Sequence, residues 1–309
     1  MRIIVTGGAG FIGSHIVDAL LKEGHSVAVI DNLSHGSRLN VDAGAKLYIA
    51  DIRSKDIEDI FEEFKPEVLC HHAAQIKVPV SVGNPILDAD INILGSINLL
   101  EACRKFGVEK VIYPASAAIF GEPKYLPIDE EHPLDMISGY GVSKHTVEHY
   151  LKVYNELYGL KYTIFRYANV YGPRQDSSGE GGVVSIFSEK FLMREQPVIF
   201  GDGNQTRDFV YVEDVAKANI QALGSLDNEI YNVCTNTEVS VNELFHLFNN
   251  LTASGLKPEY QGIREGDIRN SYMSFDKINM ACGWSPEVSL EEGLKRTIEY
   301  FKGSLMTNN

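Results

Sequence analysis

The stretch Gly7-Gly8-Ala9-Gly10-Phe11-Ile12-Gly13 decides the fold. It follows the apolar run Ile3-Ile4-Val5 and opens a segment whose Ile12, Ile16, Ala19 and Leu20 share one helical face, with Gly24 as a stop. In such a strand–turn–helix, one glycine permits the tight turn, one lets backbone approach a pyrophosphate, and one packs helix against strand. The helix start then offers unpaired N–H groups and a positive dipole end to phosphates. Asp31 closes the next apolar run, Val27-Ala28-Val29-Ile30, at the spacing of roughly 20 residues that a dinucleotide site requires. Its carboxylate can accept both ribose hydroxyls and repels a 2′-phosphate. NAD is therefore expected in preference to NADP.

Outward from this turn, short apolar runs alternate with amphipathic segments: Leu47-Tyr48-Ile49, Val68-Leu69-Cys70, Val111-Ile112-Tyr113 and Tyr162-Thr163-Ile164-Phe165. They lack polar alternation, as parallel strands buried on both faces do. The rhythm predicts an α/β fold, a Rossmann-type doubly wound parallel sheet with right-handed crossovers, joined to a smaller α/β domain. It changes near Pro173. Residues 1–172 are expected to form the dinucleotide domain, with a returning segment 208–236 that holds the runs Phe209-Val210-Tyr211-Val212 and Ile230-Tyr231-Asn232-Val233. Residues 173–207 and 237–309 are expected to form the second domain, ending in an amphipathic helix near 290–302.

The chain has 309 residues, 44% hydrophobic and 23% charged, with a formal net charge of -14. Its length suits about two domains. The acidic balance argues against nucleic-acid binding, which needs a basic face. An anionic substrate would need local arginines. Cys70, Cys103, Cys234 and Cys282 form no C-x-x-C pair, so reduced thiols and a cytoplasmic location are expected. No apolar run approaches the ~18 residues of a membrane span.

The strand ends hold the chemistry. Asp51-Ile52 closes the third strand, where an adenine would lie. His71-His72-Ala73-Ala74-Gln75 ends the fourth, at the carboxyl edge where open α/β sheets bind ligands. Adjacent strand residues point to opposite faces, so these histidines are poor joint ligands and no metal is expected. Ser116 lies just past the fifth strand. Tyr140 and Lys144, four apart, share one face of a helix. A phenol is a poor base at its ordinary pKa of ~10. A nearby ammonium and a positive nicotinamide would both favour phenolate, which suits proton transfer at a sugar hydroxyl.

The chain resembles the extended short-chain dehydrogenase/reductase family along nearly its whole length, most specifically its UDP-glucose (UDP-galactose) 4-epimerases. The resemblance is carried by the glycine turn, His72 to Gln75, Asn92-Ile93-Leu94-Gly95, Ser116 to Gly121, Tyr140 to Lys144, and Arg166 to Arg174. Gly201-Asp202-Gly203, Arg207-Asp208-Phe209-Val210 and Arg264-Glu265-Gly266-Asp267 complete it. It implies Gly7, Gly10, Phe11, Ile12 and Gly13 along the pyrophosphate, Asp31 and Asn32 at the adenosine ribose, and Asp51 and Ile52 flanking adenine. Ala73, Asn92 and Tyr167 would also border the cofactor. Tyr140, Lys144 and Ser116 would be catalytic, with Lys144 also on the nicotinamide ribose. Asn169, Arg207 and Arg264 would hold the diphosphate of a UDP-sugar, and Asp267 its ribose. Val183, Val184, Val198 and Phe200 would flank uracil.

Ala117-Ala118 stand where related dehydratases carry an Asp-Glu pair and decarboxylases a Glu, which favours epimerisation over elimination. Ala115 and Phe120 replace hydroxyl-bearing residues common in the family. Ser271 occupies a position that is Tyr in epimerases restricted to unacetylated sugars, so UDP-N-acetylhexosamines are expected to fit too. The alternatives are a UDP-glucuronate 4-epimerase, a dehydratase, a net dehydrogenase and a non-catalytic NAD-binding regulator. Two amphipathic stretches, 88–105 and 143–158, suit a homodimer, which is also the family habit.

Overall fold

The computed structural model is described over residues 1–177, 182–263 and 268–307. Its centre is a seven-stranded sheet. Six strands come from the first half: β1 (Arg2–Thr6), β2 (Ser26–Asp31), β3 (Lys46–Ile49), β4 (Val68–His71), β5 (Lys110–Ser116) and β6 (Lys161–Tyr167). The seventh is the later strand Glu229–Val233. The order is β3-β2-β1-β4-β5-β6-(Glu229–Val233), and every neighbouring pair is parallel. The order reverses between β1 and β4, so the ligand crevice of a doubly wound sheet opens at their carboxyl ends.

The apolar runs work as expected for a sheet covered on both faces. Ile3 and Val5 face one core with Ile16, Val17 and Leu20 of the helix Phe11–Lys22 and Val215 and Ala218 of the helix Val212–Ala222. Ile4 faces the other with Leu99, Leu100, Val147 and Leu151. Each fully buried Ile, Val or Leu among them contributes on the order of 1.5–3 kcal/mol by transfer from water.

A second core gathers Phe187, Phe191, Phe245, Phe248 and Leu294. It lies among the helices Val183–Met193, Val241–Thr252 and Leu290–Thr307. Packing crosses the boundary expected at residue 237, because Ile278 and Trp284 join the first core. Only part of the segment 208–236 extends the sheet. Phe209–Tyr211 pairs with Asn169–Tyr171 in a separate two-stranded ladder, because Glu229–Val233 already fills the free edge of β6 from Thr163 to Tyr167. The stretch 88–105 is also more irregular than its pattern implies. Pro85–Ala89 and Gly95–Phe106 are α-helical, but Asp90–Leu94 between them is a π-helical turn. Such turns occur often at functional sites, and this one carries Asn92.

Candidate active site

The glycine turn is pressed flat against its own helix. A Cβ built on Gly13 would lie 2.3 Å from the Gly7 carbonyl oxygen, so no side chain fits there. Ser14 N–H begins the helical ladder by donating to Gly10 O at 3.1 Å. The N–H groups of Phe11, Ile12 and Gly13 precede that bond and have no intrahelical acceptor. The first turn holds no acidic residue, and Gly10 provides no side-chain cap. An anionic pyrophosphate fits this cradle.

Asp31 is 8% exposed. It accepts from Ala9 N–H at 3.0 Å and from Leu33 N–H at 2.8 Å, so it braces the turn as well as facing the ribose position. An ionised carboxylate has about four acceptor sites, which leaves lone pairs for ribose hydroxyls. The loop after it folds over the turn: Ser37 N–H and Asn40 Nδ2 both donate to Ala9 O, at 2.9 and 3.0 Å. Asn32 Nδ2 donates to Asp51 Oδ2 at 3.1 Å. Arg53 binds Asp51 through Nε and Nη2, each at 2.8 Å, and holds its carboxyl far below the usual range. Ile52 points into the core against Gly95, where a Cβ would meet its Cδ1 at 2.7 Å, so its side chain is not an open wall for adenine.

On the other side of the crevice the side chains are tied into chains of hydrogen bonds. His71 joins Thr6 Oγ1 through Nδ1 and Ser96 Oγ through Nε2, each at 2.8 Å. Burial, and after it the Lys144 charge, keep His71 neutral. His72 stacks on Tyr167, and its Nε2 lies 3.2 Å from the Tyr167 hydroxyl. Asn219 Nδ2 donates to the same hydroxyl at 2.8 Å. Tyr167 is therefore a buried residue whose hydroxyl is held by His72 and Asn219 at the carboxyl edge of β6. Asn92 is 2% exposed and staples three segments. Its Oδ1 accepts from Gln75 N–H at 2.8 Å, and its Nδ2 reaches Gln75 O at 3.0 Å, Ser143 Oγ at 3.0 Å and Asp88 Oδ1 at 3.2 Å.

The helix Gly139–Tyr158 positions the catalytic candidates. Ser138 caps it by accepting from Gly141 N–H at 3.2 Å. Gly141 lets the helix approach the turn Ala117–Ile119, since a Cβ there would meet Ala118 O at 2.8 Å. Close approach brings the Tyr140 phenol near enough to Ser116 for the serine to favour its ionised form. Ser116 Oγ is held in place by accepting from Ala118 N–H at 3.2 Å. Lys144 is 4% exposed, with Nζ 4.3 Å from the Tyr113 ring centroid. Burial pushes its amine down to about 7, opposed by Glu148 and then Asp88. Burial pushes the Tyr140 phenol up, opposed by Ser116. The protein alone thus keeps Tyr140 neutral, and the lowered phenol expected from the sequence includes the charge of a bound nicotinamide.

Two buried carboxylates behind this pair were not singled out from the sequence. Asp88, 2% exposed, accepts from Gln75 Nε2 at 2.7 Å. Glu148, 1% exposed, takes Nε and Nη2 of Arg166 at 3.1 and 2.9 Å. Glu148 continues the row Tyr140–Lys144 by four residues, a signal that was available. Asp88 carries none, because only the π-helical turn and the Gln75 loop bury it.

At the start of the two-stranded ladder, Asn169 N–H and Nδ2 both donate to Asp208 O, at 2.9 and 3.2 Å. Asp208 is 1% exposed and accepts from Thr235 Oγ1 at 2.7 Å and from the N–H groups of Thr235, Asn236 and Met273. It thereby fixes the neighbouring Arg207, whose Nη1 donates to Ile268 O at 2.8 Å. In the strand Val198–Phe200, Ile199 points into the core while Val198 and Phe200 stay half-buried. Val184 is 1% exposed and packs in the second core; Val183 starts the helix and is only partly buried. Ser271 is half-buried. Arg264 and Asp267 lie outside the described residues.

Fold and site together define an extended short-chain dehydrogenase/reductase. The NAD-dependent epimerase/dehydratase family matches residues 3–234, and the chain belongs to it. It is 48% identical to a UDP-glucose 4-epimerase of Thermotoga maritima, solved with UDP-glucose, at a TM-score of 0.97 over 99% of this chain and 100% of that one. It is 46% identical to the UDP-glucose 4-epimerase of Thermus thermophilus, solved with NAD, at a TM-score of 0.92 over 98% of this chain and 100% of that one. A UDP-N-acetylglucosamine 4-epimerase of Methanobrevibacter ruminantium, solved with UDP-N-acetylmuramic acid, is 36% identical, at a TM-score of 0.94 over 98% of each chain. The protein is an NAD-dependent epimerase.

Proposed function

We propose that the chain interconverts UDP-glucose and UDP-galactose by transient oxidation at sugar carbon 4. The observation that carries this reading is the helix Gly139–Tyr158 bringing Tyr140 and Lys144 against the turn that follows Ser116, with Ala117-Ala118 in place of carboxylic acids. Tyr140 Oη takes the proton of the 4-hydroxyl and later returns one, while Ser116 Oγ donates to the same oxygen. Lys144, when charged, favours the phenolate. Bound NAD supplies the hydride acceptor and donor, so no net redox is needed. The cradle of Phe11, Ile12 and Gly13 with Asp31 would keep that cofactor in place through the cycle. Arg207 and Arg264 hold the diphosphate as the sugar turns over, and Asn169, Val183, Val198, Phe200 and Asp267 border the nucleotide.

Ser271 supports a wider reading, in which the pocket also accepts UDP-GlcNAc and UDP-GalNAc. NMR of the purified protein with each UDP-sugar and no added NAD tests both readings. Interconversion of UDP-glucose and UDP-galactose is expected, with Tyr140→Phe retaining NAD and losing nearly all turnover. Full activity in that variant, or steady release of NADH, would overturn the mechanism.

A second copy is the partner we infer. Val142, Val153 and Leu157 on one helix and Ile86 and Leu94 on the stretch before it are exposed apolar residues, an arrangement that suits a homodimer. A cytoplasmic location suits a chain with no helix, among the described residues, long and apolar enough to cross a membrane.

A further inference from the structure

Asp88 is a buried carboxylate held by neutral groups. Gln75 Nε2 donates to its Oδ1 at 2.7 Å, and Asn92 Nδ2 donates to the same oxygen at 3.2 Å. Both donors are carboxamides, so neither cancels its charge. The acids around it differ. Glu148 takes the paired bonds from Arg166, and Asp90 pairs with Arg53 at 2.6 Å. A carboxylate kept from water is costly unless an opposite charge compensates it.

The compensating charge within reach is Lys144. The helix Pro85–Ala89 packs against the helix Gly139–Tyr158. Asn92 Nδ2 binds Ser143 Oγ at 3.0 Å as well as Asp88, and Ser143 Oγ donates to Tyr140 O at 3.1 Å. Asp88 is thus two hydrogen bonds from Ser143, the neighbour of Lys144. Asp88, Asn92, Ser143 and Lys144 are all buried.

The groups around the Lys144 amine come from several elements. Tyr140 and Glu148 lie on its own helix, the Tyr113 ring on β5, and His71 and His72 at the end of β4. Burial, and after it the Lys144 charge, keep both histidines neutral. Lys77 lies on the loop that Gln75 holds, its N–H on Gln75 Oε1. Burial lowers the Lys144 amine, opposed by Glu148 and then Asp88. Burial raises the Tyr140 phenol; Ser116 opposes this and Asp88 adds to it. Asp88 therefore favours the protonated form of both members of the pair. An oxidised nicotinamide brings a further positive charge, which would drive the proton off Lys144. A phenolate at Tyr140 balances one of these two positive charges, and Asp88 balances the other.

We propose that Asp88 is a positioning residue of the reaction: its fixed negative charge keeps Lys144 an ammonium beside the oxidised nicotinamide. This rests on the reading of Tyr140 and Lys144 as the proton-transfer pair. Asp88→Asn isolates the charge, because both hydrogen bonds land on Oδ1 and an asparagine oxygen there can keep them. The two ionisation steps of the Tyr140–Lys144 pair should both move down by about one pH unit. Phenolate absorbance of the NAD-bound protein reads this directly, with parent and variant each measured against its own Tyr140→Phe version. The pH profile of kcat for UDP-galactose is the second readout. Both limbs should move down, leaving ~10-fold less ammonium above the alkaline limb, with KM little changed. Circular dichroism and melting report folding, and Asp88→Ala serves as a second charge-removing variant. A lower kcat with both steps unmoved would make Asp88 merely structural and overturn the proposal. Failure of both variants to fold would overturn it too, since the charge would then serve the fold. Turnover in Tyr140→Phe would instead overturn the underlying reading of the pair, and the proposal with it.

Discussion

Replacing Gly141 with alanine separates catalytic geometry from stability. The new Cβ would sit 2.8 Å from Ala118 O, about 0.6 Å short of the ordinary 3.4 Å contact. Met136 Cγ, at 3.3 Å, belongs to a flexible side chain and can yield. The Ala118 carbonyl is backbone, fixed in the turn that Ser116 caps, so the helix start or that turn must move. Either motion draws the Tyr140 phenol away from Ser116. Misplacement by 1 Å costs roughly 100-fold in rate, so about 0.6 Å predicts a loss on the order of 10-fold in kcat, or ~1.4 kcal/mol of transition-state stabilisation. The helix itself gains about 1 kcal/mol from Gly→Ala, which offsets part of an overpacking cost of ~1–3 kcal/mol. The expected variant is folded, melts within a few degrees of the parent, binds substrate with similar KM and turns over slowly. NMR turnover at saturating UDP-galactose, with melting curves alongside, measures both. A kcat within about twofold of the parent would refute the close-approach reasoning, and so would a loss explained by unfolding.

Lys144 gives the cofactor-stripped protein a stability that rises with pH. Its folded-state pKa of about 7 lies below the unfolded value of ~10.4, so between these the unfolded chain alone holds the proton. Stability should climb across that window and lie flat, at its lower level, below it. Urea unfolding of the parent against Lys144→Met should show a smaller climb in the variant; equal slopes would count against a buried amine. Glu148→Ala leaves the Arg166 charge buried and unpaired and should cost ~3–5 kcal/mol, while Glu148→Leu with Arg166→Met should recover most of it. A single-variant loss under about 1 kcal/mol in urea would be inconsistent with that pair. Ser271→Tyr should remove activity on UDP-N-acetylhexosamines and spare UDP-glucose; unchanged activity on both would show that other side chains set the pocket width.

Much of the site was legible because it is local. The glycine turn, Asp31, Ser116, Tyr140 and Lys144 each sit at the end of a strand or the start of a helix, where spacing alone carries the geometry. For Val184 and Tyr167 the motif names the residues without saying which way each one faces. Val184 faces the second core, and the Tyr167 hydroxyl meets Asn219, 52 residues away. Asp88 escaped notice for a related reason: a lone acidic residue on a polar stretch looks solvated until the Gln75 loop closes over it.

By itself the sequence determined the parallel sheet and the dinucleotide turn, and it singled out Ser116, Tyr140 and Lys144 as the catalytic candidates. Those depend on periodicity and on residue types that only certain backbone shapes tolerate. The tertiary structure alone decided what surrounds them: which strand fills the edge of β6, how Asn92 joins three segments, and how Gly141 lets the helix of Tyr140 close on the turn after Ser116. It also decided the protonation of the site. Whether a lysine is an ammonium or an amine near neutral pH depends on how much water and which carboxylates lie within a few ångströms, and the fold assembles those neighbours from distant parts of the chain.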